Sequence, residues 1–394
     1  MELQAGARPP PARSDFGMSR KRVLIAGAGG MGSAVGLLLR ELGDFEADLF
    51  LGDSDRARAD SAASWIREGS RRPGEVRSFH LPPEGTSPEL EAALAASHLL
   101  LDCLPGKEAP RMARLARKHH LHYANLTEHV RETTEVIEIA AGAEEGYVLQ
   151  TGLAPGFIDV VANGLFQRFC SENGVTTADV VEMRVGALST TSRPPHHYGF
   201  TWSSIGVATE YVEPATVIRD GKRTTRPSLS DRETVLIHGV LYEEALTSGG
   251  AADLPQVLAG RVRQLDYKTL RYPGHYAWVQ SILDEAPPGA DRAAYLLRRM
   301  EQEVPFVEDD LVTTYAAVEG RGADGALRRL EDARVIRPCR VGGRTLKAIQ
   351  ATTAAGIAEA ARMLIDGGCR GVRLQSQIDP ARFLRGPFVS TVYG

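Results

Sequence analysis

The feature that most constrains this chain is Gly27-Ala28-Gly29-Gly30-Met31-Gly32, a GxGxxG string set between a short β-rich run (RVLIA, 22–26) and a helical one (SAVGLLLREL). In a chain with 40 glycines the string alone is weak. Its setting gives it meaning: a second strand over 47–51 ends at Gly52-Asp53, so an acid follows 21 residues after Gly32. Gly27 permits the tight turn, Gly29 lets backbone approach a pyrophosphate at the positive end of the helix, and Gly32 allows close helix–strand packing. Gly30 and Met31 belong to the same turn. Asp53 would accept hydrogen bonds from an adenosine ribose and repel a 2′-phosphate, which favours NAD; Arg56 and Arg58 close by keep NADP open. Leu104 and Pro105 follow the apolar run 98–103 and are expected along the same cofactor. So are Pro155 and Gly156, after the last strand of this region, where backbone can approach a nicotinamide with no Cβ in the way.

Strand and helix patterns alternate from residue 20 to about 150. That grammar predicts a Rossmann-type, doubly wound parallel sheet in an α/β fold. After one more helix (158–169) strands follow one another, at 180–188, 216–219 turning on Asp220-Gly221, 234–238, 262–271, 312–318 and 326–330. This block is expected to be an α+β substrate-binding and dimerisation domain with a mostly antiparallel sheet. An Ala-rich helix over 349–365, stopped by Gly367-Gly368, is expected to pack back on the first domain. The expected division is an arm at 1–18, a dinucleotide-binding domain made of 19–157 and 346–394, and a second domain at 158–345.

Charge and composition exclude several classes. With 46 basic and 50 acidic residues the net charge is −4, which argues against nucleic acid as the main partner. No apolar run approaches the ~20 residues of a membrane span. The four cysteines (Cys103, Cys170, Cys339, Cys369) lie far apart without CxxC spacing, which favours a reducing, cytoplasmic setting. Residues 1–18 are proline-rich with no apolar core segment and read as a disordered arm, not a secretion signal. His119, His120 and His122 straddle a helix end and a strand start, and cations closing a helix explain them better than a metal site does. No metal is expected.

More specific strings follow the first domain. Gly152-Leu153-Ala154-Pro155-Gly156-Phe157, Phe200-Thr201-Trp202-Ser203, Thr247-Ser248-Gly249-Gly250 and 266–275 (DYKTLRYPGH) resemble the saccharopine dehydrogenase superfamily, and within it the lysine 6-dehydrogenase branch. The resemblance spans roughly 20–372. Saccharopine reductases tend to carry Asp within the GLxPG turn; this chain has Ala154, which fits the lysine-dehydrogenase branch. The stretch 189–198 (STTSRPPHHY) departs from the GGxP-type loop frequent in relatives. The resemblance implies NAD-dependent oxidative deamination of the ε-amino group of L-lysine to 2-aminoadipate 6-semialdehyde, which cyclises to a piperideine carboxylate, with ammonia released. The alternative it carries is reductive condensation to a saccharopine- or carboxynorspermidine-like secondary amine. Either way the partner is a small amino acid or diamine, and a homodimer is implied.

Such chemistry states its own needs. Arg271 can offer two parallel bonds to a substrate carboxylate, and Tyr272 and Trp202 come with the same strings. Ser248 and Gly249, ahead of a helical run, could bind a carboxylate through backbone N–H groups. Oxidising an amine needs the neutral amine and hence a proton acceptor. Lys268, His275, Glu128 and His129 are the candidates. Glu128 and His129 follow a strand at 121–125, at the carboxyl end where such sheets bind ligands. Asp159 at the start of the next helix reads as an acid satisfying free N–H groups.

Overall fold

The computed structural model describes residues 20–128 and 130–394. The expected arm at 1–18 and the candidate His129 lie outside the described residues.

Seven parallel strands form the first sheet: β1 (Lys21–Ala26), β2 (Ala47–Asp53), β3 (Val76–His80), β4 (Leu99–Asp102), β5 (His122–Asn125) and β6 (Gly146–Val148), joined at the edge by the late strand Gly371–Arg373. The order runs from that late strand through β6, β5, β4, β1 and β2 to β3. The carboxyl ends of β1 and β4 thus sit together at the centre, where the glycine turn emerges. Strand alternation explains the apolar run of β1. Val23 and Ile25 enter one core and Leu24 and Ala26 the core on the opposite face, so all four are buried. The Ala-rich helix Ala348–Ile365 lies on the Val23/Ile25 side against the helix Gly30–Glu41, as its small side chains permit.

The second sheet is mixed and mostly antiparallel. Its strands are β7 (Ala178–Ser189), β8 (Ala215–Arg219), β9 (Lys222–Arg226), β10 (Glu233–Ile237), β11 (Val240–Leu246), β12 (Val262–Arg271), β13 (Asp310–Arg321) and β14 (Leu327–Ile336). Their order is β10-β11-β12-β7-β13-β14, with β8 and β9 appended to β12, and among the described residues only β12 and β7 pair in parallel in this sheet. The Asp220-Gly221 hairpin forms between β8 and β9. β7, β13 and β14 are longer than expected, and β11 (VLYEEAL) was missed because two glutamates mask its alternation. Both glutamates find partners: Glu243 accepts from the backbone N–H of Gly274 and Tyr276, and Glu244 from Arg184 and Lys268.

One face of this sheet packs on the helix Phe157–Asn173 and shares the core that runs up to Val23 and Ile25. Asp310 at the start of β13 ties the domains further, its carboxylate accepting from Ala348 N at 2.7 Å and Ile349 N at 2.8 Å. The carboxyl ends of the parallel strands therefore look directly at the second sheet across a cleft. Among the described residues no helix is long and apolar enough to cross a membrane.

Candidate active site

The glycine turn fits a dinucleotide. Gly27 has φ +96°, and a Cβ there would sit 2.9 Å from the Cys103 carbonyl oxygen and 3.3 Å from Leu104 Cδ2. A Cβ on Gly32 would fall 1.8 Å from the Gly27 carbonyl oxygen, so only glycine lets the helix approach this closely. At Gly29 a Cβ would meet nothing within 4 Å. That open space lies at the N-terminus of Gly30–Glu41, a helix with no side-chain cap and no acid in its first turn. Its N–H groups and dipole suit a pyrophosphate. Gly30 faces Gln350 of the Ala-rich helix, and Met31 reaches the interdomain cleft.

Asp53 ends β2 buried, its Oδ2 accepting from Ala28 N and its Oδ1 from Asp55 N, both at 3.0 Å. The carboxylate that would read a ribose therefore also braces the glycine turn. Arg58 Nη1 stands 3.6 Å from Asp53 Oδ1, whereas Arg56 is held by Asp60 and Glu89. Leu104 and Pro105 leave the carboxyl end of β4 as expected.

Between the domains is a cavity of about 210 Å³, mostly apolar, with Met31, Leu126, Pro155, Trp202 and Ile349 among its walls. Its polar wall carries Glu128, Glu210, Tyr267, Thr269 and Arg271. A second chamber of about 540 Å³ holds Ser248 and Gly249 and shares Glu128 and Glu210 with the first. Gly156 turns behind Pro155 with φ +135°, where a Cβ would lie 2.2 Å from the Gly152 carbonyl oxygen. Asp159 is the helix-start acid, its Oδ2 accepting from Gly156 N at 2.8 Å.

Strand parity sorts the candidates on β12. Tyr267, Thr269 and Arg271 face the cavity, so Lys268, Leu270 and Tyr272 face the other way. Lys268, offered as a base, is buried on that far face, where its ammonium is held by Glu244 at 2.9 Å and by Glu233. Tyr272, offered as a substrate ligand, also points there, its hydroxyl donating to the Ser189 carbonyl at 2.9 Å and its ring stacked on Tyr242. Neither reaches the cleft. His275 is fully buried and does not line it either. Its Nε2 meets the Tyr211 hydroxyl at 2.9 Å and its Nδ1 the His196 carbonyl at 2.7 Å. Burial, then the Arg271 charge, holds its pKa well below the usual value, so the ring is neutral.

Arg271 does line the cavity, but its guanidinium is already engaged: Nη2 donates to Glu210 at 3.0 Å, Nε to Tyr211 at 2.5 Å and Nη1 to the Leu270 carbonyl at 2.9 Å. A substrate carboxylate would meet an arginine neutralised by Glu210. The expected carboxylate cradle at Ser248-Gly249 is changed too. The Ser248 N–H donates to the Glu210 backbone carbonyl at 3.0 Å, and a Cβ on Gly249 would lie 3.5 Å from that of Glu128.

Glu210 was not among the sequence candidates. It closes the short helix Ser204–Glu210, whose Ser203 cap and Trp202 come from the Phe200–Ser203 string. Burial above all, with Glu128 nearby, pushes its carboxyl up to about 7, against the opposing pull of Arg271. An acid at a helix C-terminus opposes the dipole, and that was the one available signal for it. The three histidines set aside as a metal site part company. His119 pairs with Glu91, His120 with Glu145, and His122 accepts from Gly146 N.

A Rossmann sheet with a phosphate-ready glycine turn, opposed across a cleft by a sheet bearing titratable groups, defines a two-domain oxidoreductase that uses a nicotinamide dinucleotide. Comparison with known families matches residues 23–151 to the saccharopine dehydrogenase NADP binding domain and 152–386 to the saccharopine dehydrogenase C-terminal domain. The chain belongs to the saccharopine dehydrogenase family. Among solved structures it is similar to saccharopine dehydrogenase (L-Glu forming) from Saccharomyces cerevisiae, with TM-score 0.71 and 16% identity over 95% of this chain and 98% of that one. It is also similar to the homospermidine synthase of Legionella pneumophila, solved in complex with NAD, with TM-score 0.64 and 12% identity over 95% and 90% of the two chains. At these identities the likeness speaks for the fold.

Proposed function

We propose that the protein oxidises a primary amine with NAD, and that the amine is the ε-amino group of L-lysine. The observation that carries this reading is Glu210, a carboxyl poised near neutrality in the cleft beside Glu128 and Arg271. The Glu210 carboxylate on the wall of this cavity attracts an ammonium. A carboxyl near 7 can take the proton that the ammonium must lose before its carbon becomes a hydride donor. A bound nicotinamide supplies the carbon that accepts the hydride. The apolar wall of Met31, Leu126 and Trp202 holds the methylene chain and keeps bulk water away. Glu210 receives the proton from nitrogen; the Cε–H bond breaks with its electron pair leaving as hydride, and an iminium remains. Water then adds to Cε and the C–N bond breaks, releasing ammonia and a semialdehyde that closes on its own α-amine.

A second reading follows from the larger chamber, which joins the first at Glu128 and Glu210 and has room for a second reactant. There an aldehyde and an amine would condense and the imine be reduced. Absorbance of reduced cofactor separates the two. Growth with lysine and NAD, together with ammonia release, supports deamination. A flat trace with every basic amino acid and diamine, beside consumption of reduced cofactor when semialdehyde and an amine are both present, overturns it in favour of condensation. Asp53 supports NAD; an NADP control in the same cuvette tests it.

A further inference from the structure

Behind Arg271 runs a chain of hydrogen bonds whose direction can be read atom by atom. The His196 carbonyl can only accept, so His275 Nδ1, 2.7 Å away, carries the proton. In a neutral ring Nε2 is then an acceptor, and the Tyr211 hydroxyl at 2.9 Å must donate to it. That leaves a lone pair of the Tyr211 oxygen for the Arg271 Nε–H at 2.5 Å. Arg271 Nη2, on the same edge of the guanidinium, reaches Glu210 at 3.0 Å. The rings of Tyr198 and Tyr211 stand 4.8 and 5.4 Å from the guanidinium carbon and fix its plane. The chain runs one way only, from Arg271 through Tyr211 and His275 to a backbone carbonyl of the 189–198 stretch.

We infer that Tyr211 and His275 are positioning residues: locked in the Nδ1–H tautomer by the His196 carbonyl, His275 orients the Tyr211 hydroxyl, and this holds Arg271 against Glu210. The inference rests on the amine-oxidising reading for its consequence, because Glu210 there takes the proton. With a protonated His275, Nε2 would donate to Tyr211, whose own proton would then have no acceptor in the chain; the Arg271 charge beside the ring opposes that state. The charged groups that bear on Glu210 are Arg271 and Glu128, and the titratable phenols facing it, whose own pKa its charge helps raise, are Tyr198, Tyr211, Tyr267 and Tyr276; those bearing on His275 are Arg271, His196 and His197. Arg271 is the cation facing Glu210 among them. Loosening it should move the Glu210 titration upward.

Two measurements on the full chain test this. In histidine-labelled protein, nitrogen NMR should show His275 (assigned by its loss in His275→Gln) as the neutral Nδ1–H tautomer, unchanged from pH 6 to 8. An Nε2–H tautomer, or titration in that range, overturns the inference whatever the enzyme turns over. In the second, Tyr211→Phe should lower kcat on the order of tenfold, as expected for a displaced catalytic group, and move the acid limb of the kcat/KM profile up by about half a unit or more. His275→Leu should do the same, whereas His275→Gln, which keeps an acceptor for Tyr211, should recover most of the loss. Folded Tyr211→Phe or His275→Leu with kcat and acid limb unmoved overturns it. Absence of any amine oxidation would overturn the function reading and leave the tautomer measurement to decide the relay.

Discussion

Glu210 and Arg271 meet at 3.0 Å where the end of a short helix crosses the end of a central strand, and both line the cleft that faces the dinucleotide fold. Neither charge can be read alone. The arginine lowers the carboxyl that burial and Glu128 raise, and the carboxyl cancels the arginine as an anion site.

Glu210→Gln should therefore abolish proton transfer while keeping a hydrogen-bond acceptor for Arg271. We expect kcat for amine oxidation to fall by roughly 10²–10⁴-fold. Because the base must be ionised, wild-type kcat/KM should rise with pH through about 7, and this limb should vanish in the variant. Steady-state rates across pH 5.5 to 9 check both.

Lys268→Met leaves the cleft untouched, since strand parity sends this side chain to the far face. Glu244 loses one of its two buried cations, a cost of about 3 kcal/mol. Folded variant should turn over normally with a lowered Tm; loss of kcat at unchanged KM and stability would contradict the placement.

Asp53→Ser should shift cofactor preference. Losing the carboxylate removes repulsion of a 2′-phosphate and frees Arg58, 3.6 Å away, to attract one. The ratio of kcat/KM with NAD to that with NADP should fall by on the order of tenfold or more, the scale of one charge interaction. Ala28 N also loses its acceptor, so Tm should drop modestly.

Asp102, buried at the end of β4, is pushed up to about 7 by burial, against the N–H of Leu104 and the hydroxyl of Tyr123. The native state thus holds this proton more tightly than the unfolded chain. Stability should fall as pH climbs from about 4 to 7, by on the order of 4 kcal/mol if this group acted alone. Asp102→Asn should flatten that slope in denaturant unfolding followed at several pH values.

Much of the fold was legible because its signals are local. The glycine turn and the apolar β1 run each follow from backbone sterics and strand alternation over a few residues, and both stand where expected. The Asp220-Gly221 hairpin follows from turn chemistry and does too. β11 was not legible, since a strand carrying Glu243 and Glu244 is intelligible only once their distant partners are seen.

The site divided along the same line. The sequence by itself determined the local backbone of the turn from Gly27 to Gly32, of Asp53 and of Pro155-Gly156, since each acts through its own backbone or close neighbours. Tertiary structure alone decided which titratable groups meet. Lys268 and Arg271 are three residues apart yet face opposite sides of one sheet. Glu210, 61 residues from Arg271, became its partner. Electrostatics and proton affinity depend on distance in space and on exclusion of water, and neither is written in the spacing of residues along a chain.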